Sequence, residues 1–71
     1  MNKQIKVNEI NQAIQRSEVA IKKEANAHLL DGRIEYTMKI NGYFARVDFY
    51  TILGLLHGED IRALKAKYGR N

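Results

Sequence analysis

The chain contains no cysteine, no proline and no tryptophan among its 71 residues. Without cysteine it can form neither a disulfide nor a thiolate-ligated metal site, so its stability has to come from packing. A domain of this length buries only about 60% of the surface that its unfolded chain exposes, so its core is small. The absence of cysteine suits a reducing compartment, and we expect a cytoplasmic protein.

Long apolar runs are absent as well. Residues 1–6 lack the apolar segment of a signal peptide, and no stretch approaches the roughly 20 residues that a membrane-spanning helix needs. Repeats and low-complexity segments are also missing. We therefore expect one small domain over residues 1–71, without contact to a membrane.

Charge is only slightly unbalanced: 12 lysine and arginine residues against 8 aspartate and glutamate residues give a formal charge of +4. This excess permits contact with nucleic acid or with an acidic protein surface but requires neither. Near the C-terminus no acid accompanies Arg62, Lys65, Lys67 and Arg70. We favour the interpretation that these cations compensate a helix dipole and aid solubility.

The chain does contain a strong hairpin signal. In RIEYTMKINGYFARVDF (residues 33–49), Asn41 and Gly42 supply the two positive-φ positions of a type I′ turn. A two-residue turn fixes the register, and it places apolar or aromatic pairs on one face. These pairs are Ile40 with Tyr43, Met38 with Ala45, Tyr36 with Val47, and Ile34 with Phe49. The other face receives Lys39 with Phe44, Thr37 with Arg46, and Glu35 with Asp48.

Residues 8–31 are predicted to form one long helix. Asn8 is a suitable N-cap, and Gly32 suits the position after the last turn. The stripe on one side of this helix is narrow, so the helix needs tertiary packing to persist. Ahead of it, residues 4–7 are compatible with a short third strand. The stripe consists of Ile10, Ile14, Ser17, Ile21, Ala25 and His28.

Residues 51–68 are helical in character, as one helix or as two. A single helix would leave Ile52, Leu55 and Leu56 outside its apolar stripe, and a core this small can hardly surround a helix. We favour two short helices with a break near Gly58 and with Asp60 starting the second. The predicted fold is α+β: a long N-terminal helix packed on an antiparallel hairpin, followed by two short C-terminal helices.

Phe44 is the first candidate contact residue. It stands on the polar face of the hairpin between Lys39 and Arg46, with Thr37 beside them. An aromatic next to arginine is typical of a protein-binding hot spot, and a basic aromatic face can also stack and neutralise nucleotides. Alternatively, the N-terminal segment or a second copy of the chain covers the ring. Glu35 and Asp48 on the same face argue against a surface that follows phosphates.

Residues 51–68 loosely resemble a helix-turn-helix. Its second helix would present Arg62, Lys65, Lys67 and Arg70 to a groove of DNA. Two acidic residues at the start of that helix weaken the resemblance, because its first turn should contact the bases.

The two histidines each have an acid at helical spacing. Glu24 precedes His28 by four residues, and Asp60 follows His57 by three. A metal site or an acid–base pair needs more ligands, or a recognised signature, than these residues supply. We expect no catalytic residue, no metal and no cofactor.

The hairpin edges carry backbone groups that can pair with a second copy of the chain or with a partner's strand. Glu35, Thr37 and Lys39 give the first strand only moderate protection against such pairing. In so short a chain, dimerisation would also enlarge the core.

Small size and the lack of a catalytic constellation favour a non-enzymatic binding protein. The first hypothesis is a small regulatory or inhibitory protein that blocks or locks a larger protein partner through Phe44, Arg46, Lys39 and Thr37. The alternative is a basic nucleic-acid-binding regulator, in dimeric form, that uses the cations of its C-terminal helix. A short chain without cysteine is also typical of accessory proteins of mobile elements.

Overall fold

The computed structural model describes residues 2–69, which form a layer of helices on one face of a three-stranded antiparallel sheet. The predicted α+β fold, with a long N-terminal helix and two short C-terminal helices, is confirmed. Within the described residues the elements in chain order are α1 (Lys3–Arg16), α2 (Glu18–Lys22), β1 (Asn26–Leu30), β2 (Arg33–Ile40), β3 (Tyr43–Val47), α3 (Phe49–Leu53) and α4 (Gly58–Tyr68).

Helix α1 begins before the predicted start at Asn8. Its N-cap is Asn2, whose side chain accepts the Gln4 N–H at 2.9 Å. The prediction of a short strand over residues 4–7 is wrong, because these residues form the first turns of α1. Val7 lies buried on its core side and extends the apolar stripe by a further turn.

The helix predicted over residues 8–31 is interrupted at Ser17, whose extended backbone ends α1 and precedes α2. The buried hydroxyl accepts the Ala20 N–H at 3.1 Å and donates to the Leu55 carbonyl. One side chain therefore caps α2 and links it to the C-terminal part of the chain. Helix α2 ends where Glu24 adopts a left-handed conformation (φ 50°) in a Schellman-type turn.

The last part of the predicted helix is in fact a strand. Asp31 and Gly32 both have positive φ, 54° and 76°, and form the two-residue turn that joins β1 to β2. Gly32 was predicted to end a helix, and that prediction is wrong. Asn11 secures the outer edge of β1, because its amide donates to the Ala27 carbonyl at 2.8 Å and accepts the Ala27 N–H at 3.0 Å.

The hairpin predicted around Asn41 and Gly42 is confirmed. The two residues have φ angles of 51° and 83°, as a type I′ turn requires. Five of the predicted pairs are present: Ile40–Tyr43, Lys39–Phe44, Met38–Ala45, Thr37–Arg46 and Tyr36–Val47.

Strand β3 ends at Val47, so two predicted pairs do not form. Ile34 was expected opposite Phe49, and Glu35 opposite Asp48. Phe49 instead opens α3, and Asp48 is its N-cap. A carboxylate that satisfies the free N–H groups of a helix start cannot also continue a strand ladder.

The C-terminal region forms two helices, as we favoured. The first starts at Phe49, two residues before the predicted start, and ends at Leu53. The N-cap of α4 is His57, so Gly58 opens the second helix rather than following the first. Asp60 lies in the first turn of α4 and not at its start.

The core lies between the helices and the inner face of the sheet. Ile10 of α1 and Ile52 of α3 are fully buried at its centre. Leu64 brings α4 to the same core, so each of the two short C-terminal helices is anchored there by a buried side chain. The buried apolar residues are Val7, Ile10, Ala13, Ile14, Ala20, Ala25, Ala27, Tyr36, Met38, Ile52, Leu53, Leu56 and Leu64.

Candidate functional site

One face of the sheet, called the open face below, has none of the described helices packed on it. The strand alternation and the register place nine side chains there, all of them half-buried or exposed. Three cations, one carboxylate and one large aromatic ring give this surface a mildly basic, aromatic character. Its side chains are Asn26, His28, Leu30, Arg33, Glu35, Thr37, Lys39, Phe44 and Arg46.

Phe44 is the aromatic residue of the open face, and 63% of it is exposed. Lys39 lies directly opposite on β2, with its ammonium 5.7 Å from the ring centroid. The same ammonium pairs with the Glu24 carboxylate at 2.9 Å, and the Lys39 N–H donates to the Lys23 carbonyl at 2.8 Å. The ring thus stands beside an anchored cation, while the N-terminal segment lies in α1 and does not cover it.

The other end of the open face is polar. Arg46 lies 3.6 Å from the Glu35 carboxylate, and three quarters of its side chain is exposed. His28 stands opposite Glu35 on β1, and half-buried Thr37 lies between Asn26 and Arg46. The structure therefore brings Thr37, Lys39, Phe44 and Arg46 onto one surface; their role in binding stays a prediction.

The outer edge of β3 is the second feature of this surface. Ile40 and Tyr43 form a hydrogen-bonded pair because they flank a two-residue turn. Hydrogen-bonded and non-hydrogen-bonded positions alternate along β3, so the backbone groups of Phe44 and Arg46 point away from β2. Their backbone N–H and C=O groups line an edge that no other described strand pairs. The first strand of the hairpin, predicted as an edge, is instead the centre of the sheet because β1 covers it.

The predicted nucleic-acid residues do not form a single basic face. At about 100° per residue, Arg62 and Lys65 lie about 60° apart on the outer side of α4, whereas Lys67 lies about 140° from Arg62. Lys67 turns to α1 and pairs with Glu9 at 2.8 Å. Arg70 lies outside the described residues.

The contact between α1 and α4 is ionic at its rim. Glu9 accepts hydrogen bonds from the Lys67 ammonium and the Tyr68 hydroxyl, both at 2.8 Å. These two bonds lower the pKa of Glu9 and raise the pKa values of Lys67 and Tyr68. Together with the Arg16–Asp60 pair at 2.7 Å, they link α4 to α1 around a groove of about 210 Å³.

The histidines take other places than the helical spacing indicated. His28 is a strand residue on the open face, and its predicted partner Glu24 pairs with Lys39 instead. His57 caps α4, and its Nδ1 accepts the Glu59 N–H at 3.4 Å. Within residues 2–69, no three metal-ligating side chains lie close enough together to hold a metal ion.

Sequence reasoning missed Asn26, His28 and Leu30 as residues of the open face. They were missed because residues 26–30 were assigned to a helix. The signal that could have placed them is Asp31-Gly32, a second two-residue turn pair ten residues before Asn41-Gly42.

None of the helices within residues 2–69 combines the length and the apolar character that crossing a membrane requires. Comparison of the chain with models of known protein families, with curated proteins and with solved structures finds no significant match in any of the three.

Proposed function

We propose that this chain is a non-enzymatic binding protein that acts by occupying a surface of a larger protein partner with its open face. The observation that carries the proposal is Phe44, a large aromatic residue 63% exposed on a sheet face that no described helix covers. Regulation or inhibition of the partner, by steric blocking or by locking one of its conformations, is the function that such occupation supports. A mobile-element accessory role belongs to the same proposal.

The energetics of the open face suit a contact with a protein. Burying the exposed part of a phenylalanine side chain contributes up to about 2 kcal/mol, and aromatic residues beside arginine dominate many interfaces. Lys39 pairs with Glu24 in the free chain, which favours the position that its ammonium takes beside the ring. Arg46 is largely exposed and can present its planar guanidinium to a carboxylate of the partner.

The cations of α4 support the nucleic-acid alternative less well. Lys67 is engaged by Glu9, and Glu59 and Asp60 occupy the first turn of α4, where a recognition helix contacts bases. On the outer side of α4, Arg62 and Lys65 remain, and two phosphate contacts supply only a small part of a typical DNA affinity.

Photo-cross-linking with a matched pair of variants tests the proposal. The photoreactive residue replaces Asn26, which lies on the open face but is not one of the predicted contact residues. In an extract of the source organism it should give a discrete protein adduct that resists nuclease. Phe44→Ala should reduce that adduct at least about tenfold, the effect expected when a hot-spot aromatic is lost.

Tyr43→Ala is the control, because Tyr43 is the neighbouring exposed aromatic but points to the opposite face of the sheet. It should leave the adduct unchanged, and circular dichroism should show that both variants stay folded. A nuclease-sensitive adduct would favour the nucleic-acid alternative. The proposal would be contradicted by an adduct whose yield Phe44→Ala leaves unchanged. It would also be contradicted if the photoreactive residue at position 26 gave no protein adduct.

A further inference from the structure

The free edge of β3 has a self-complementary sequence. Tyr43–Val47 reads Tyr-Phe-Ala-Arg-Val, with Ala45 at its centre. If two copies met antiparallel about an axis through Ala45, Phe44 would face Arg46 of the second copy, and Tyr43 would face its Val47. An aromatic side chain would then lie beside a cation on the open face, and two apolar side chains would lie side by side on the inner face. The two-fold symmetry would form each of these pairs twice.

From this pattern we infer that the chain forms a symmetric dimer in which β3 pairs with β3 of a second copy, centred on Ala45, to give one six-stranded sheet. Phe44 and Arg46 are the β3 residues whose N–H and C=O groups point outward, so this register forms two hydrogen-bonded pairs and four backbone hydrogen bonds. The inference goes beyond the proposed function, because the dimer uses the edge and leaves the open face exposed.

Neighbouring registers are worse on the same grounds. Centring the pair on Arg46 would set two guanidinium groups opposite each other, which destabilises a cross-strand pair. Centring it on Phe44 would leave Val47 without a partner and extend the pairing into the Asn41-Gly42 turn. The Ala45 register alone among the three uses all five residues of β3.

The long helix of the molecule lies away from the β3 edge. Helix α1 packs mainly over β1, at the far edge of the sheet. Ala45 is a non-hydrogen-bonded position in this register, where Cα atoms approach to about 4.5 Å. Its methyl group is small enough for two copies to meet at the axis. Tyr43, 78% exposed in the single chain, gains an apolar neighbour in Val47 of the second copy.

Cysteine cross-linking tests the register directly, because the chain has no cysteine of its own. Ala45→Cys places two thiols at the axis, within the Cα range of about 4.4–6.8 Å that a disulfide needs. Tyr43→Cys alone places its two thiols about 14 Å apart, four residues along the strand. Under mild oxidation Ala45→Cys should form a covalent dimer at least about tenfold faster than Tyr43→Cys.

An equimolar mixture of Tyr43→Cys and Val47→Cys should give a heterodimer at a rate near that of Ala45→Cys, since these positions face each other. The unmodified chain, studied by sedimentation from about 10 µM to about 1 mM, should shift from the 8.2 kDa monomer toward twice that mass. Equal cross-linking rates at positions 43 and 45, or a monomer at every concentration, would overturn the inference. The sedimentation result holds even where a cysteine variant fails to fold.

Discussion

At the scale of single residues, Asn11 explains why the two edges of the sheet differ. Its side-chain amide lies against Ala27 and completes both backbone hydrogen bonds that an added strand would otherwise make there. The outer edge of β3 has no such side chain among the described residues. A partner strand is therefore excluded at the middle of β1 and admitted at β3.

Replacing Asn11 by alanine should lower the free energy of unfolding by about 1–3 kcal/mol, because the Ala27 N–H and C=O lose partners in a part-buried place. Asn11→Asp should be no milder, since a carboxylate oxygen would then face the Ala27 carbonyl. Urea unfolding with an unchanged m-value measures the loss. Gln12→Ala, an exposed neighbour on the same helix, should change stability by less than about 0.5 kcal/mol. Equal effects at positions 11 and 12 would show that the amide bonds contribute little.

At the scale of elements, turn chemistry predicted more than periodicity did. Asn41-Gly42 fixed β2 and β3 and five cross-strand pairs, because only one register is compatible with a two-residue turn. Residues 26–30 are rich in alanine and leucine, which favour helices in isolation, and so the sequence alone predicts a helix where β1 lies. Tertiary pairing with β2 overrides that propensity.

The open face could be predicted only as far as the hairpin reached. The register alone placed Thr37, Lys39, Phe44 and Arg46 on one surface. The pairing of Lys39 with Glu24 depends on where α2 ends, which is set by the Schellman-type turn and by long-range contacts. That pairing joins the two ends of the hairpin built on Asp31-Gly32, so it could be predicted only once residues 26–30 were recognised as a strand.

Ser17 decides the angle between α1 and α2. Ser17→Ala should cost about 1–3 kcal/mol of stability, because the Ala20 N–H and the Leu55 carbonyl both lose a buried partner. Alanine also favours a continuous helix through position 17, which would displace α2 from the core. Glu18→Ala at the exposed next position is the matched control. Chemical denaturation of both variants checks the prediction, and a Ser17→Ala variant as stable as the Glu18→Ala variant would contradict it.

At the scale of the whole molecule, the N-terminal and C-terminal parts of the chain are joined at the rim by charged groups. Leu64 supplies the buried contact of α4, while Glu9, Lys67 and Tyr68 form a hydrogen-bonded cluster at its end. A small core gives the domain little reserve, so these rim interactions influence how well α4 stays docked. Their ionisation should therefore be visible in the stability of the entire domain.

The pKa of Glu9 is lowered from 4.5 chiefly by the Lys67 hydrogen bond, then by Tyr68. A lowered pKa means stability that is present above pH 4.5 and is lost as the pH falls through the folded-state value. The pKa of Lys67 is raised from 10.5, so its contribution is complete below that pH and disappears as the pH rises through the folded-state value. The melting temperature should therefore fall on both the acid and the alkaline side.

Glu9→Gln should flatten both the acid limb and the alkaline limb of the plot of melting temperature against pH. It removes the carboxylate and, with it, the cause of the raised pKa of Lys67. Some acid sensitivity should remain, because Thr51 lowers the pKa of Asp48 through its hydroxyl and N–H. Thermal melts from about pH 3 to about pH 11 measure both limbs. Glu59→Gln, at an exposed position in α4, controls for the loss of one negative charge. If Glu9→Gln changed only the acid limb, Lys67 would not depend on Glu9, and the docking of α4 would rest on Leu64 and the Arg16–Asp60 pair.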